Sequence, residues 1–528
     1  MNRKLLDSNK QGMQDINIKQ INQIITDQTY NSAKYLLQQD KQQKAQQKAT
    51  QLQNKLQSLD KSDLVLAQNK LNITINLLQQ QFVPKIFCVC DFDCFYAAIE
   101  MRRDPSLKAV PLAVCGGGIV CASNYAARKF GVRSATPAKV AKALCDNIKI
   151  VQADIQYYQQ VSRSTASFFM QFDPNFTMLS CDECLMELSG YIQNQNFKGG
   201  KDGSTLFIGE ISNIELLVAQ ICREIRGQIE AKFQLTVSCG VGISVQLAKI
   251  NADRKKPNGQ TISQLHFHNK QDMFSSMKSS IGDLEIRKIW GIGQATAEML
   301  TNKPFQCIKI KDIQDRGYQL VALLPPSIVN LIASAYGLGQ IHGQGEHADL
   351  KSVGHAKTFP EKEQGFDEII MELCKDVCLR LQVLELIPRR IQIQIRFADW
   401  SDQIKVKDLP TRSSNLSVIY ETSVQTVNEL VKYAKINKRG KISTVGIGQS
   451  MKDLPSSYVR LIGVRAIEFE DYRYGEINEF IKVKPQESNE INEQSSDFEV
   501  VGFVKGSKQK TIREQCKQSG LDKWIKKK

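Results

Sequence analysis

Asp91 and Asp93 flank a single phenylalanine, and much later Asp182 and Glu183 stand side by side in Ser180-Cys-Asp-Glu-Cys184. Ionised carboxylates in otherwise apolar, β-forming segments are costly to bury unless they lie at a turn or hold a cation. Asp91, Asp182 and Glu183 have no histidine or thiolate partner in their pattern. Three oxygen donors of this kind suit Mg²⁺ rather than zinc. Taken alone, Asp91 reads equally well as the cap of the helix that follows it.

The segments around the acids are built to present them. Ile86 to Cys90 is a short run of β-formers and predicts a buried strand with Asp91 at its carboxyl end. Phe95 onwards predicts a helix. Pro111 to Val114 and Ile119 to Ala122, joined through Gly116-Gly-Gly118, predict a hairpin. No Gly-Lys-Ser/Thr follows those glycines, which speaks against a phosphate cradle. Asn124 to Phe130 predicts a helix stopped by Gly131, with Tyr125 and Arg128 on one face. Phe176 to Leu188 predicts two strands interrupted by the second acid pair. With helices over 155–172 and 211–233 and a strand over 236–241, the order strand, helix, two strands, helix, strand is the ferredoxin-like pattern. Its inner strands are neighbours, so Asp91 is expected to approach Asp182 and Glu183. Cys181 and Cys184 form a C-x-x-C, but with no second pair or histidine cluster at zinc spacing a zinc or redox role is not favoured.

The chain has 528 residues, which suggests about three or four domains. Its net charge of +15 and 70 basic against 55 acidic residues favour a polyanion, nucleic acid first and an anionic membrane surface second. No transmembrane run or signal-type h-region is visible, so a soluble intracellular protein is expected. The 14 cysteines are scattered among apolar residues and read as reduced core thiols.

Towards the N-terminus, Asn17 and Gln20 predict the start of a helix with Ile18, Ile21, Ile24 and Ile25 on one face. A second, long polar helix is expected over residues 40–80, which hold no Pro or Gly. Beyond the acids, Val245 to Ala252 predicts a helix leading into the basic turn Arg254-Lys-Lys-Pro-Asn-Gly-Gln260. Ile289-Trp-Gly-Ile-Gly-Gln294 has the form of a helix-hairpin-helix turn, whose amides can meet a DNA phosphate. Gly446 to Gly448 repeats the Gly-x-Gly. A helix over 366–384, the alternating strand Arg390 to Arg396 and a strand from Val459 predict a small α/β domain. Residues 476–500 carry seven acids and two bases, and 505–528 nine bases and two acids, the composition of a tail.

Asp91-Phe-Asp-Cys-Phe-Tyr96, Ser123-Asn-Tyr-Ala-Ala-Arg-Lys-Phe-Gly-Val132, Ser180-Cys-Asp-Glu183 and Lys256-Pro-Asn-Gly-Gln260 resemble, in order and spacing, the motifs of the Y-family translesion DNA polymerases. Asn9-Lys-Gln-Gly-Met13 and Glu100-Met-Arg-Arg-Asp-Pro-Ser-Leu-Lys108 resemble the eukaryotic DinB-like branch. The resemblance covers roughly residues 7–470. It implies an α+β, multidomain right-hand polymerase. Residues 1–84 would be an N-terminal helical clasp, 85–93 and 154–277 a ferredoxin-like palm, 94–153 small fingers, 278–346 a helical thumb with the helix-hairpin-helix, and 347–470 an α/β little finger. Residues 471–528 would be a mostly disordered tail.

The resemblance also implies roles. Asp91, Asp182 and Glu183, with the backbone carbonyl of Phe92, would hold two Mg²⁺ ions, for which Mn²⁺ can substitute. Asp93 would stand behind them. Tyr125, Arg128 and Lys256 would contact the triphosphate of an incoming deoxynucleotide. Tyr96 would be the steric gate against ribonucleotides, Phe95 would pack beneath the nascent pair, and Gly291 and Gly293 would meet primer-template DNA. The implied activity is low-fidelity synthesis past lesions and extension of distorted primer ends by a monomer in the nucleus, with no membrane. A template-restricted dCMP transferase and a catalytically weak DNA-binding scaffold are the alternatives.

The chain departs from the family at three places. Ala122 stands where many members have Thr, removing one hydroxyl contact to the triphosphate, and Cys184 and Leu185 replace an Ala and an aromatic. After residue 470 there are too few Cys and His for a ubiquitin-binding zinc finger. Gln518, Leu521, Trp524 and Ile525 resemble a peptide that binds the sliding clamp PCNA; an ordinary basic tail fits them equally well.

Overall fold

The computed structural model describes residues 12–13, 16–30, 33–194, 214–339, 350–358, 366–397, 400–432, 435–436, 442–443 and 459–470. The chain forms two compact units, Met1–Ile341 and His342–Lys528. No helix among the described residues is long and apolar enough to cross a membrane.

The first unit opens with α1 (Ile18–Thr29), whose N-cap Asn17 accepts from the Gln20 amide at 3.2 Å. Its buried Ile21 packs with Met13 and Leu144. The single polar helix expected over 40–80 is instead two, α2 (Ala33–Ser58) and α3 (Lys61–Gln81). Asp60 makes the break: its carboxylate accepts from the Asp63 amide at 2.8 Å while Asp63 accepts from the Asp60 amide at 3.2 Å, a capping box that starts α3. Ala67, Leu71 and Ile75, at four-residue intervals, form the buried stripe of α3.

Next come β1 (Phe87–Phe92) and α4 (Phe95–Arg103). A three-stranded sheet follows. Its hairpin, β2 (Leu112–Gly116) and β3 (Ile119–Ser123), leads to the one-turn α5 (Tyr125–Arg128) and to α6 (Ala138–Leu144). Strand β4 (Lys149–Gln152) joins β2 in parallel, giving the order β3-β2-β4. Then come α7 (Ile155–Phe169), β5 (Thr177–Ser180), β6 (Glu183–Glu187), α8 (Ser189–Asn194), α9 (Ile214–Phe233), β7 (Val237–Gly242), α10 (Val245–Ala252) and β8 (Gln260–Ile262).

The central sheet has the order β5-β6-β1-β7-β8. Its first four strands are the ferredoxin-like arrangement, with β1 antiparallel to both neighbours and β8 added in parallel on the edge. Side chains alternate across a strand. Cys88, Cys90 and Phe92 therefore enter the large core with α7 and α9, while Val89 packs with Leu185, Val245, Ala248 and Ala252 on the α10 side. Gly240 in β7 lets α10 lie this close, since a Cβ there would strike the backbone of Ala248 and Ala252.

The unit continues through α11 (Lys270–Gly282), α12 (Gln294–Thr301), α13 (Ile310–Leu323) and α14 (Ile328–Ala335). Leu71 of α3 closes over Gly317 of α13, where an added Cβ would lie 2.9 Å from the leucine. The polar N-terminal helix thus has a seat on the all-helical segment.

The second unit is a four-stranded antiparallel sheet with two helices on one face. Its elements are β9 (Ser352–Thr358), α15 (Phe366–Val383), β10 (Ile387–Phe397), β11 (Asp402–Asp408), α16 (Leu416–Lys432), the short pair β12 (Lys435–Ile436) and β13 (Ile442–Ser443), and β14 (Val459–Glu470). The order is β11-β10-β14-β9. Ile391, Ile393, Ile395 and Phe397 enter its core with α15 and α16, so Arg390, Gln392, Gln394 and Arg396 line the other face. The repeat at Gly446 to Gly448 and the segment with Gln518, Leu521, Trp524 and Ile525 lie outside the described residues.

Candidate active site

β1 and β6 pair with Asp91 directly opposite Glu183. Both carboxylates therefore leave the same face, the one covered by α10. Asp182 occupies the turn into β6; its carbonyl accepts from the Phe92 amide at 2.8 Å, and its side chain accepts from the Ser180 hydroxyl at 2.5 Å. The three acids expected to meet do so at one strand end. Asp91 does not cap the following helix: Cys94, at φ 43°, is the N-cap of α4 and gives no side-chain bond.

Two lysines reach these acids. Lys256 Nζ donates to Asp91 and Lys249 Nζ donates to Glu183. Burial pulls both amines towards the neutral form. For Lys249 burial prevails and its pKa is lowered, whereas for Lys256 burial is outweighed by Asp91, Asp93 and Asp253 acting together, and its pKa is raised. Partly buried carboxylates that draw ammonium groups this closely are a site for positive charge. The all-oxygen donor set suits a hard divalent cation.

Asp93, 2% exposed, turns away from the other acids. It accepts from the Ser238 hydroxyl at 2.8 Å, the Asn258 amide at 2.7 Å and the Tyr125 hydroxyl at 3.4 Å. The end of β1 is thereby tied to β7 and to the loop that carries Lys256. Arg226 of α9 holds the same loop, donating to Asn258 Oδ1 and Gln260 Oε1, each at 3.0 Å.

A cleft of about 580 Å³ opens over the acids. Asp91, Asp182, Phe95, Tyr96, Arg128, Lys256 and Gly291 line it, as do Ala122, Arg133, Lys249 and Trp290. Tyr96 stacks on Tyr158 with ring centroids 4.4 Å apart, and its hydroxyl lies 3.4 Å from Cys181 Sγ. Burial, helped by Cys181, raises the Tyr96 pKa, so the phenol stays protonated. Phe95 is 2% exposed and rests on Phe92 at 5.3 Å, a floor more than a free platform.

Tyr125 does not line the cleft. Its hydroxyl serves Asp93, and its ring supports the Arg128 guanidinium at 4.6 Å. Gly291, at φ 97°, and Gly293, the N-cap of α12, form the expected turn, but only a 3₁₀ turn (Ile286–Lys288) precedes it in place of a full helix.

Sequence reasoning missed Lys249 and Arg133. Lys249 carried a readable signal, being the lone charge in Val245–Ala252, a helix otherwise made to lie on a sheet. Arg133 had none.

The profile of the impB/mucB/samB family matches residues 90–253, and that of its C-terminal domain matches residues 350–478. DNA polymerase kappa of Homo sapiens is 26% identical, the match covering 99% of this chain and 62% of that protein. The chain thus spans about six-tenths of this relative's length. DNA polymerase IV of Vibrio vulnificus (strain YJ016) is 31% identical over 59% of this chain and 82% of its own length. Among solved structures, a Y-family DNA polymerase chimera superposes with a TM-score of 0.55 at 21% identity, covering 72% of this chain and 98% of that one. The carboxylate strand end, the ferredoxin-like sheet and these matches agree: the chain belongs to the impB/mucB/samB family, that of the Y-family DNA polymerases.

Proposed function

We propose that this chain is a template-directed DNA polymerase that carries out translesion synthesis and extends distorted primer ends, using primer-template DNA and deoxynucleoside triphosphates. One observation carries most of the weight: Asp91 and Asp182 line a single cleft with Arg128, Lys256 and Tyr96. Acids for cations and basic side chains for phosphates are what nucleotidyl transfer requires, and the phenol beside them is placed to meet the sugar. The reaction joins the primer 3′-oxygen to the α-phosphorus, breaks the bond to the pyrophosphate oxygen and releases the hydroxyl proton.

Asp91, Asp182, Glu183 and the Phe92 carbonyl are suited to two Mg²⁺ ions, with Mn²⁺ as a substitute. Such ions would make the 3′-hydroxyl a better nucleophile and stabilise the leaving pyrophosphate. Lys256 and Arg128 place donors for a triphosphate, and Tyr125 holds Arg128 from beneath. Lys249 keeps Glu183 in register with Asp91. Tyr96, pinned between Tyr158 and Cys181, would meet a 2′-hydroxyl and reject ribonucleotides. Gly291 and Gly293 offer backbone amides to a DNA phosphate.

The same reading places a monomer in the nucleus, in DNA repair and damage-tolerant replication, with residues 518–528 engaging PCNA. Loss of clamp stimulation on deleting 518–528 is its test.

Primer extension on undamaged and adducted templates tests the main activity. Wild type should extend with all four deoxynucleotides as the template directs, and Asp182→Ala should not extend. Insertion of dC opposite every base would instead identify a dCMP transferase. DNA binding without extension on any template would identify a scaffold.

A further inference from the structure

Asn258 stands in the left-handed region at φ 47°. The turn it belongs to is so tight that a Cβ on Gly259 would lie 1.7 Å from the carbonyl oxygen of Lys255. Every polar group of this asparagine is engaged. Its amide donates to Asp93 at 2.7 Å. Its side-chain oxygen accepts from Arg226 Nε at 3.0 Å, and its side-chain nitrogen donates to Glu230 at 3.2 Å. Its carbonyl accepts from a second nitrogen of Arg226. The third guanidinium nitrogen donates to Gln260 Oε1 at 3.0 Å, and Gln260 Nε2 donates in turn to the Ala219 carbonyl at 2.9 Å.

Ala219, Arg226 and Glu230 follow one another at steps of seven and four on α9, so they form one stripe. Beside it runs the buried stripe of Cys222, Ile225 and Ile229. One side of α9 is thus fixed in the core while the adjacent side holds the turn. A planar guanidinium with all three nitrogens on one loop sets the orientation of that loop as well as its place, which a point charge would not. Two residues before Asn258, the Lys256 amine emerges beside Asp91. Arg226 itself does not line the cleft, so any effect it has on nucleotide must pass through the loop.

We infer that Arg226, seconded by Glu230, is a positioning residue for nucleotide binding: by gripping Asn258 and Gln260 it sets where Lys256 presents its amine to a triphosphate. This inference rests on the assignment of Lys256 to the triphosphate made above. A lysine aimed wrongly at the phosphates still carries its charge, but it has lost the alignment that makes the charge useful.

Steady-state primer extension by the full chain, with primer-template affinity and thermal melting measured alongside, tests it. Arg226→Ala should raise the nucleotide KM about tenfold, with little change in kcat or in the Kd for primer-template, and Arg226→Lys should recover part of the loss. Gln228→Ala, on the exposed side of α9 away from the turn, should behave as wild type. The decisive comparison is a double-mutant cycle. If Arg226 acts through Lys256, adding Arg226→Ala to Lys256→Ala should raise KM hardly further. Should Arg226→Ala fail to fold, Glu230→Ala, at an exposed position, carries the same cycle with a KM rise of about threefold, as fits the loss of one hydrogen bond. An unchanged KM in the single variant, a full further rise in the double variant, or a fall in kcat or DNA affinity in place of the KM change would each overturn the inference while leaving the polymerase reading intact. A wild type that extends no primer would overturn both.

Discussion

The backbone amide of Asn258 donates to Asp93 Oδ2 at 2.7 Å, across 165 residues of sequence. Through this bond the acid nearest Asp91 in sequence serves the loop that carries Lys256. It does not face the cleft.

Asp93→Ala should therefore act on nucleotide binding more than on chemistry. It leaves the Asn258 amide and the Ser238 hydroxyl without their acceptor, a loss of about 3 kcal/mol in stability for bonds to a buried charge. The nucleotide KM should rise about tenfold, which is about 1.4 kcal/mol, with a smaller change in kcat, and Asp93→Asn should recover part of it. Steady-state extension kinetics with thermal melting decide this. A kcat collapse at unchanged KM would make Asp93 a direct participant.

Lys249 is the lysine that pairs with Glu183. Lys249→Met should destabilise the metal-free protein by about 3 kcal/mol, the usual cost of leaving a buried carboxylate unpaired. Added Mg²⁺ should raise the melting temperature of this variant more than that of wild type, because the ion replaces the lost charge. Equal Mg²⁺ shifts in the two proteins would refute this.

Tyr96→Ala should raise the ratio of ribonucleotide to deoxynucleotide incorporation by about tenfold or more, about 1.4 kcal/mol of lost discrimination. Tyr96→Phe, which keeps the ring and its stack on Tyr158, should change the ratio little. If Tyr96→Ala leaves the ratio unchanged, the sugar is checked elsewhere.

Leu71→Ala should cost about 2–5 kcal/mol, the range for emptying a buried leucine site. Its neighbour Leu77, half exposed on the same helix, should tolerate alanine. Denaturant melts of the two variants compare them directly, and equal stabilities would mean that α3 is not seated on α13.

What could be read from the sequence was local. The strand ending at Asp91, the hairpin after Pro111, and the acid turn at Asp182 follow from residue type and a period of two, and the ferredoxin-like order follows from their succession. Asp60 and Asp63 also spelled out a helix start that the absence of Pro and Gly obscured. The bond from Asn258 to Asp93, the reach of Lys249 to Glu183 and the pairing of Cys90 with Cys239 join residues far apart in the chain. No window of sequence holds both partners, so their roles depend on strand register and on which face of the sheet each helix covers.

The seat of Leu71 over Gly317 bears on where this protein can be cut. The family profile begins at residue 90, which invites trimming to that border. Ala67, Leu71 and Ile75 would then leave an oily furrow on the all-helical segment, open to water and to other copies of the shortened chain. Such a protein should clump as its concentration rises, and supplying α3 as a separate peptide should restore its solubility.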